Sequence, residues 1–190
     1  MTPTQRVQQH FRVQQDWKGN TLPAPAAEFI LEAQAGHLAV NFRAPRRGDR
    51  PPQHPVGRCP RLWEHEVVEL FLLGERDAYL ELEWGPAGHW LALRLEGRRC
   101  VVDDRITVST TFWSDRTTWG GDLLLEAARL PPTLGSANAF AIFGPGTARA
   151  YRAHRGSPDA EGPDFHRLES FVPLRADLLE ALGPTGADWG

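Results

Sequence analysis

Apolar residues in this chain come in short alternating runs, and clusters of Gly and Pro separate one run from the next. Alternation puts one face of each run into a core and the other outside it, so the pattern predicts an all-β sandwich or barrel. A first strand is expected over residues 5–15. Phe29 and Leu31, then Leu38, Val40 and Phe42, predict a hairpin that turns at residues 34–37. Residues 44–60 are rich in Pro, Arg and Gly and read as one long loop, a length that in compact domains usually serves function or mobility. A strand then runs to Leu73. Further strands are expected near residues 105–112, 122–130, 139–143, 149–154 and 170–174. Pro173 marks the last as an edge. Residues 175–182 suit a short C-terminal helix stopped by Gly183 and Pro184.

The hairpin around residues 79–96 carries the sharpest expectation. Leu80, Leu82 and Trp84 alternate on one arm, and Leu91, Leu93 and Leu95 on the other. Gly85-Pro86-Ala87-Gly88 is turn chemistry. Pairing Trp84 with Leu91 sets Leu82 against Leu93 and Leu80 against Leu95, which gathers the leucines on one core face. Tyr79, Glu81 and Glu83 then share the open face with Glu96, Arg94 and Ala92.

At 190 residues the chain is sized for a single domain, 1–190, with a sizeable core. A formal net charge of -3 argues against a nucleic-acid partner, which calls for basic excess. No apolar run approaches the roughly 20 residues of a membrane span. The first residues show no apolar signal region, so a cytoplasmic location is expected. Cys59 and Cys100 read as reduced structural cysteines, because two cysteines do not make a disulfide framework. Nothing in the sequence fixes an oligomeric state.

The segment from Arg61 to Leu73 concentrates the chemistry. Trp63, Glu64, His65, Glu66 and Glu69 run into the apolar stretch Leu70–Leu73, a polar loop feeding a buried strand. A sugar presents C–H faces that stack on an indole and hydroxyls that need carboxylate partners, so Trp63 and Glu69 are a candidate binding pair. On a straight strand six residues separate them by about 20 Å. They share a site only if the chain bends at Trp63. Glu81 and Arg94 are neighbouring candidates, and Trp113 and Trp119 could offer a second stacking surface. The carboxylate-rich set Glu64, Glu66, Glu69, Glu81 and Glu83 raises two other chemistries, glycoside hydrolysis by a carboxyl pair and calcium binding through oxygen ligands. His154, Asp164 and His166 are a candidate metal trio. No G-x-S-x-G elbow, HExxH motif or phosphate-cradling loop is present, and no enzymatic activity is expected.

Three ordered segments resemble the DOMON-like proteins related to carbohydrate-binding module family 9. Leu62–Leu72 is similar to that group's Leu-Trp-x-x-x-x-x-Glu-x-Phe-Leu strand. Tyr79–Ala92 is similar to its Tyr-x-Glu-x-x-x-x-Pro-x-Gly-x-Trp-x-Ala hairpin. Pro163-Asp164-Phe165-His166, followed by Ser170-Phe171, resembles its closing signature. The resemblance implies an antiparallel sandwich of the jelly-roll or immunoglobulin-like kind that binds a sugar between two aromatics, with calcium in a structural role. In the group a stacking tryptophan precedes a sugar-contacting glutamate by six residues, as Trp63 precedes Glu69. Trp113, Trp119 and Phe165 are candidates for the second aromatic. The group's strand commonly carries Asp or Asn where this chain has His65 or Glu66. Some DOMON relatives bind haem through Met and His, but Met1 is the only methionine here, which leaves a bis-His haem site as the alternative. The expected function is thus non-catalytic carbohydrate binding. The rivals are a metal- or haem-binding domain and an interaction scaffold with a degenerate pocket, the last of which requires Trp63 to be buried.

Overall fold

A computed structural model describes residues 7–34 and 36–189. Its strands are β1 (Val7–Val13), β2 (Gln15–Asp16), β3 (Ala27–Gln34), β4 (His37–Pro45), β5 (Val67–Leu73), β6 (Ala78–Trp84), β7 (Trp90–Glu96), β8 (Val101–Asp103), β9 (Thr110–Ser114), β10 (Thr118–Glu126), β11 (Ser136–Phe143), β12 (Ala150–Ala153) and β13 (Val172–Pro173), followed by helix α1 (Ala176–Leu182). The expected first strand begins in part outside the described residues. So does the tip of the expected β3–β4 turn, at Ala35.

The strands form two antiparallel sheets, ordered β1-β3-β4-β10-β9 and β2-β12-β11-β5-β6-β7-β8, with β13 paired to β11. The fold is an all-β sandwich. Between the sheets lie Phe11, Phe29, Leu31, Phe42 and Leu123 from the first and Val68, Leu70, Leu72, Leu80, Leu82 and Trp84 from the second. Burying each large side chain stabilises the fold by about 1.5–3 kcal/mol. Phe42 stacks on Trp84 with ring centroids 4.5 Å apart, and the buried Trp84 indole N–H donates to Thr110 Oγ1 at 2.9 Å. Helix α1 closes one edge with Leu178 and Leu182. Its carboxyl end stops at Gly183, whose φ of 83° suits glycine.

The second sheet is apolar on both faces. Behind the sandwich core, a separate layer gathers Val67 and Phe71 of β5, Tyr79 of β6, Leu91, Leu93 and Leu95 of β7, and Phe140 and Ile142 of β11. Loop residues Cys59, Leu62, Phe165 and Phe171 cover it.

This second layer overturns the expected hairpin register. Trp84 pairs with Trp90, not Leu91. Glu83 faces Leu91, Glu81 faces Leu93, and Leu80 faces Arg94. Leu80 and Leu82 therefore point into the sandwich while Leu91, Leu93 and Leu95 point away from it. The expectation assumed one buried face. With two, each arm sends its leucines to a different core, and hydrophobic matching across the hairpin no longer fixes the register.

Candidate functional site

Arg61 adopts a left-handed conformation (φ 60°, ψ 35°) and leads into a single 3-10 turn, Leu62–Glu64. That turn bends the chain just before β5. It sends Leu62 into the outer layer, fully buried, and leaves Trp63 40% exposed. The bend is the condition under which Trp63 and Glu69 can share a site, and both border one cavity of about 330 Å³. Its floor is the outward face of the second sheet, with Glu69 and Phe71 from β5, Glu81 from β6, Leu93 and Leu95 from β7, and Ile142 from β11. Trp63, Arg99, Val101, Tyr151, Pro163, Phe165 and His166 form its walls and rim. The volume falls at the lower end of the roughly 300–1,000 Å³ typical of small-ligand sites.

Hydrogen bonds fix these walls. The Glu66 carboxylate accepts the backbone N–H groups of Arg47 (3.0 Å) and Asp49 (3.2 Å), which pins the start of the long loop. The same loop is held at its far end by Cys59 N–H to Trp90 O at 2.8 Å. Arg99 sits in the left-handed region at φ 60°, a conformation that costs a non-glycine residue about 1 kcal/mol or more. Its N–H donates to Tyr79 Oη at 3.0 Å, and its guanidinium bonds Asp164 at 2.9 Å. Tyr79 Oη lies 2.8 Å from His166 Nδ1. With the hydroxyl oxygen accepting from Arg99, the arrangement that also uses its proton is the one in which it donates to His166. Nδ1 is then the acceptor, and the neutral ring carries its proton on Nε2. Burial and the neighbouring Arg99 charge push the His166 pKa down to about 4, and burial pushes the Tyr79 hydroxyl up to about 12. Both groups are neutral at ordinary pH.

The floor is electrostatically unusual. Glu69 and Glu81 of the floor, and Glu83 behind it, are 2%, 4% and 0% exposed. Glu69 and Glu83 are direct cross-strand neighbours, and Glu81 lies diagonally from Glu69, about 7–8 Å away by sheet geometry. Glu81 and Glu83 hydrogen-bond to each other. Among the described residues, no amide, hydroxyl or guanidinium donor reaches Glu81 Oε2 or either oxygen of Glu83. Burial raises the Glu81 pKa to about 7. Burial and the adjacent carboxyls raise Glu69 and Glu83 well above the usual carboxylate range, with Arg149 pulling Glu69 the other way. Protonated, such groups can both donate and accept hydrogen bonds.

Other expected site residues lie elsewhere. Arg94 is not beside Glu81. The corrected register puts it opposite Leu80, and its guanidinium bonds the Trp189 carbonyl. Trp119 is 1% exposed and packs against Phe42 in the sandwich core. Trp113 is exposed, but it pairs with Gly120 in the first sheet and does not line the cavity. The metal trio does not converge. His154 Nδ1 lies 3.1 Å from the Arg12 carbonyl, Asp164 is engaged by Arg99, and His166 faces Tyr79. Among the described residues, no three His, Cys, Asp or Glu side chains are placed to hold a metal ion. Of the wider carboxylate set, Glu64 pairs with Arg61 at the surface and Glu66 serves the loop. Cys59 and Cys100 are free thiols.

The sequence reading missed Arg99, Tyr151, Phe71 and Leu93 as lining residues. Phe71 and Leu93 follow from apolar positions on both faces of β5–β7. Arg99 and Tyr151 leave no local sequence signal, because a turn and a short strand bring them in from outside the motifs.

The chain is 33% identical over 189 residues to the UPF0462 protein C4orf33 homolog of Danio rerio, with 94% of this chain and 92% of the relative covered. It is 32% identical to the Mus musculus homolog, covering 94% and 95%, and 32% identical to UPF0462 protein C4orf33 of Homo sapiens, covering 94% and 92%. No family model matches. Among solved structures, a "putative carbohydrate-binding protein" from Bacteroides uniformis superposes with a TM-score of 0.64 at 17% identity, covering 88% of this chain and 85% of that one. That likeness is one of fold. Among the described residues, no helix is long and apolar enough to cross a membrane.

Proposed function

The chain belongs to the UPF0462 protein family, and on that footing we propose that it is a non-catalytic carbohydrate-binding domain of the DOMON-like kind. One observation carries the reading: an exposed indole, Trp63, borders the same small cavity as the buried carboxyls of Glu69 and Glu81. A pyranose lays its C–H face on Trp63. Its hydroxyls meet Glu69, Glu81 and the Nε2–H of His166, while Phe165 and Tyr151 bound the other side. Two further points support this. The sequence motifs resemble family 9 modules at these residues, and the solved neighbour of like fold is described as a "putative carbohydrate-binding protein". Trp63 is exposed, the reverse of what a scaffold with a degenerate pocket requires.

Hydrolysis is the rival chemistry, since a carboxyl with a pKa near neutrality suits a general acid. The placement argues against it. A glycosidase pair flanks the scissile bond, whereas Glu69 and Glu81 stand on one floor, on adjacent strands of one sheet. The proposed module works in the cytoplasm.

A glycan array followed by isothermal titration tests the reading. Expected is reversible binding to a mono- or disaccharide, weakened at least tenfold by Trp63→Ala with the fold intact. Binding that is unchanged in Trp63→Ala, or absent for every sugar, rejects it.

A further inference from the structure

The cavity floor holds the carboxyls of Glu69 and Glu81, with Glu83 buried beside them, and among the described residues no cation is bonded to Glu81 or Glu83. Glu81 and Glu83 are each at least 96% buried and bond to each other, and among the described residues no amide, hydroxyl or guanidinium donor reaches Glu81 Oε2 or either Glu83 oxygen. The surrounding charges are committed elsewhere. Arg99, on the β7–β8 turn, is tied to Asp164. Arg149, ahead of β12, bonds the carbonyls of Trp63 and His65 and acts on Glu69 only through its field. Arg98 reaches Asp164 and Glu169. His166 and Tyr79 are neutral, and the Cys59 thiol beside Glu83 is held protonated by burial. A buried carboxyl without a donor is costly. The missing partner is a proton when the cavity is empty and a cation when a ligand enters. The same space is walled by Trp63, Phe71, Tyr151 and Phe165, whose π-faces attract organic cations. The three carboxyls do not make a metal ligand set. An ammonium group needs fewer and less directed ligands.

We propose that this cavity selects a sugar bearing a protonated amine, one hexosamine unit, over its neutral and N-acetylated counterparts, with the ammonium seated between Glu81 and Glu69. The inference rests on the carbohydrate reading above and deepens it. On binding below neutrality the Glu81 proton passes to solvent as the ammonium takes its place. No covalent bond changes.

Isothermal titration of the full chain tests this with D-glucosamine, D-galactosamine and D-mannosamine, each beside its parent hexose and N-acetyl derivative, at pH 5.5 and 7. A set of buffers of differing ionisation enthalpy measures the protons released. At pH 7 one amine is expected to bind at least tenfold tighter than its two counterparts. Its affinity should fall roughly tenfold at pH 5.5, where up to one proton is released per ligand bound. Glu81→Gln should bring each amine to the affinity of its own parent hexose measured on the same variant, and should abolish the proton release. Equal affinity within each set, or an amine preference that survives Glu81→Gln, overturns the inference and leaves the sugar reading standing. No binding by any of the sugars removes both.

Discussion

Glu69 on β5 and Glu83 on β6 are direct cross-strand partners, two carboxyls facing each other on a surface where neither is more than 2% exposed. Like charges placed this way oppose each other, and no cation, amide or hydroxyl donor among the described residues offsets them at Glu83. Replacing Glu83 with an apolar residue of similar length removes a fully buried acidic group and gives up only its hydrogen bond to Glu81. Glu83→Met is therefore expected to raise the unfolding free energy at pH 8 by about 1–3 kcal/mol. Urea denaturation measures it, and a destabilised variant would show that the bond to Glu81 outweighs the cost of burying Glu83.

Glu81 makes stability depend on pH in an unusual direction. Its folded pKa of about 7 stands above the ordinary 4.5, so the folded state holds the proton more tightly than the unfolded chain does. The resulting stability is complete below pH 4.5, declines as pH rises, and is gone above 7. The displacement corresponds to on the order of 3 kcal/mol. His166 acts in the opposite sense over an overlapping range, so the informative quantity is a difference. Glu81→Gln should gain on the parent protein between pH 4.5 and 7 in matched urea curves and hold that gain above 7. A constant offset between the two would contradict the assignment.

His166 has a depressed pKa of about 4. Its contribution to stability is present above 6.5 and is lost as pH falls through 4. Its ring protons should titrate with a midpoint near 4 by NMR, well below the ordinary histidine value of 6.5. Arg99→Ala removes the second cause of the depression after burial and should raise that midpoint by roughly one pH unit. An unmoved midpoint would leave burial as the sole cause.

Gly156 holds the segment that supplies Phe165 and His166 against the turn after β2. A Cβ there would lie 2.3 Å from the Gly19 backbone nitrogen and 2.6 Å from the Asp16 carbonyl oxygen, and backbone cannot step aside cheaply. Gly156→Ala is expected to cost about 1–3 kcal/mol, read as a lowered thermal midpoint. Gly162→Ala, which meets nothing within 4 Å, is the matched control.

Most of the architecture was legible because alternation and Gly/Pro punctuation are local. Strands β3 to β7, the long loop, and α1 with its Gly183 stop fall close to their expected places. The bend at Trp63 was legible as a condition but not as a fact, since it depends on Arg61 accepting a left-handed backbone. Three features were hidden. The hairpin register turned on whether Leu93 faces the same core as Leu82, which no pattern within the hairpin reveals. Arg94 followed Leu93 in that error and moved to the wrong side of the sheet. Trp119 read as a stacking aromatic because a tryptophan before two glycines resembles a loop, yet Gly120 and Gly121 lie inside β10. Gly120 leaves room there for the Trp113 ring, which a Cβ would approach to 2.6 Å.

The greasy back of the second sheet changes what its covering segments are. Residues 46–66 and 154–171 resemble decoration in a strand diagram, the usual place to splice a tag or trim an insertion. Here they act as a third wall. An epitope inserted near Pro51, or a protease nick there, would loosen the segment that lies along β7 and unroof Leu91 and the neighbouring outer-layer leucines. The injured protein would be expected to clump with its own copies before it lost its strands.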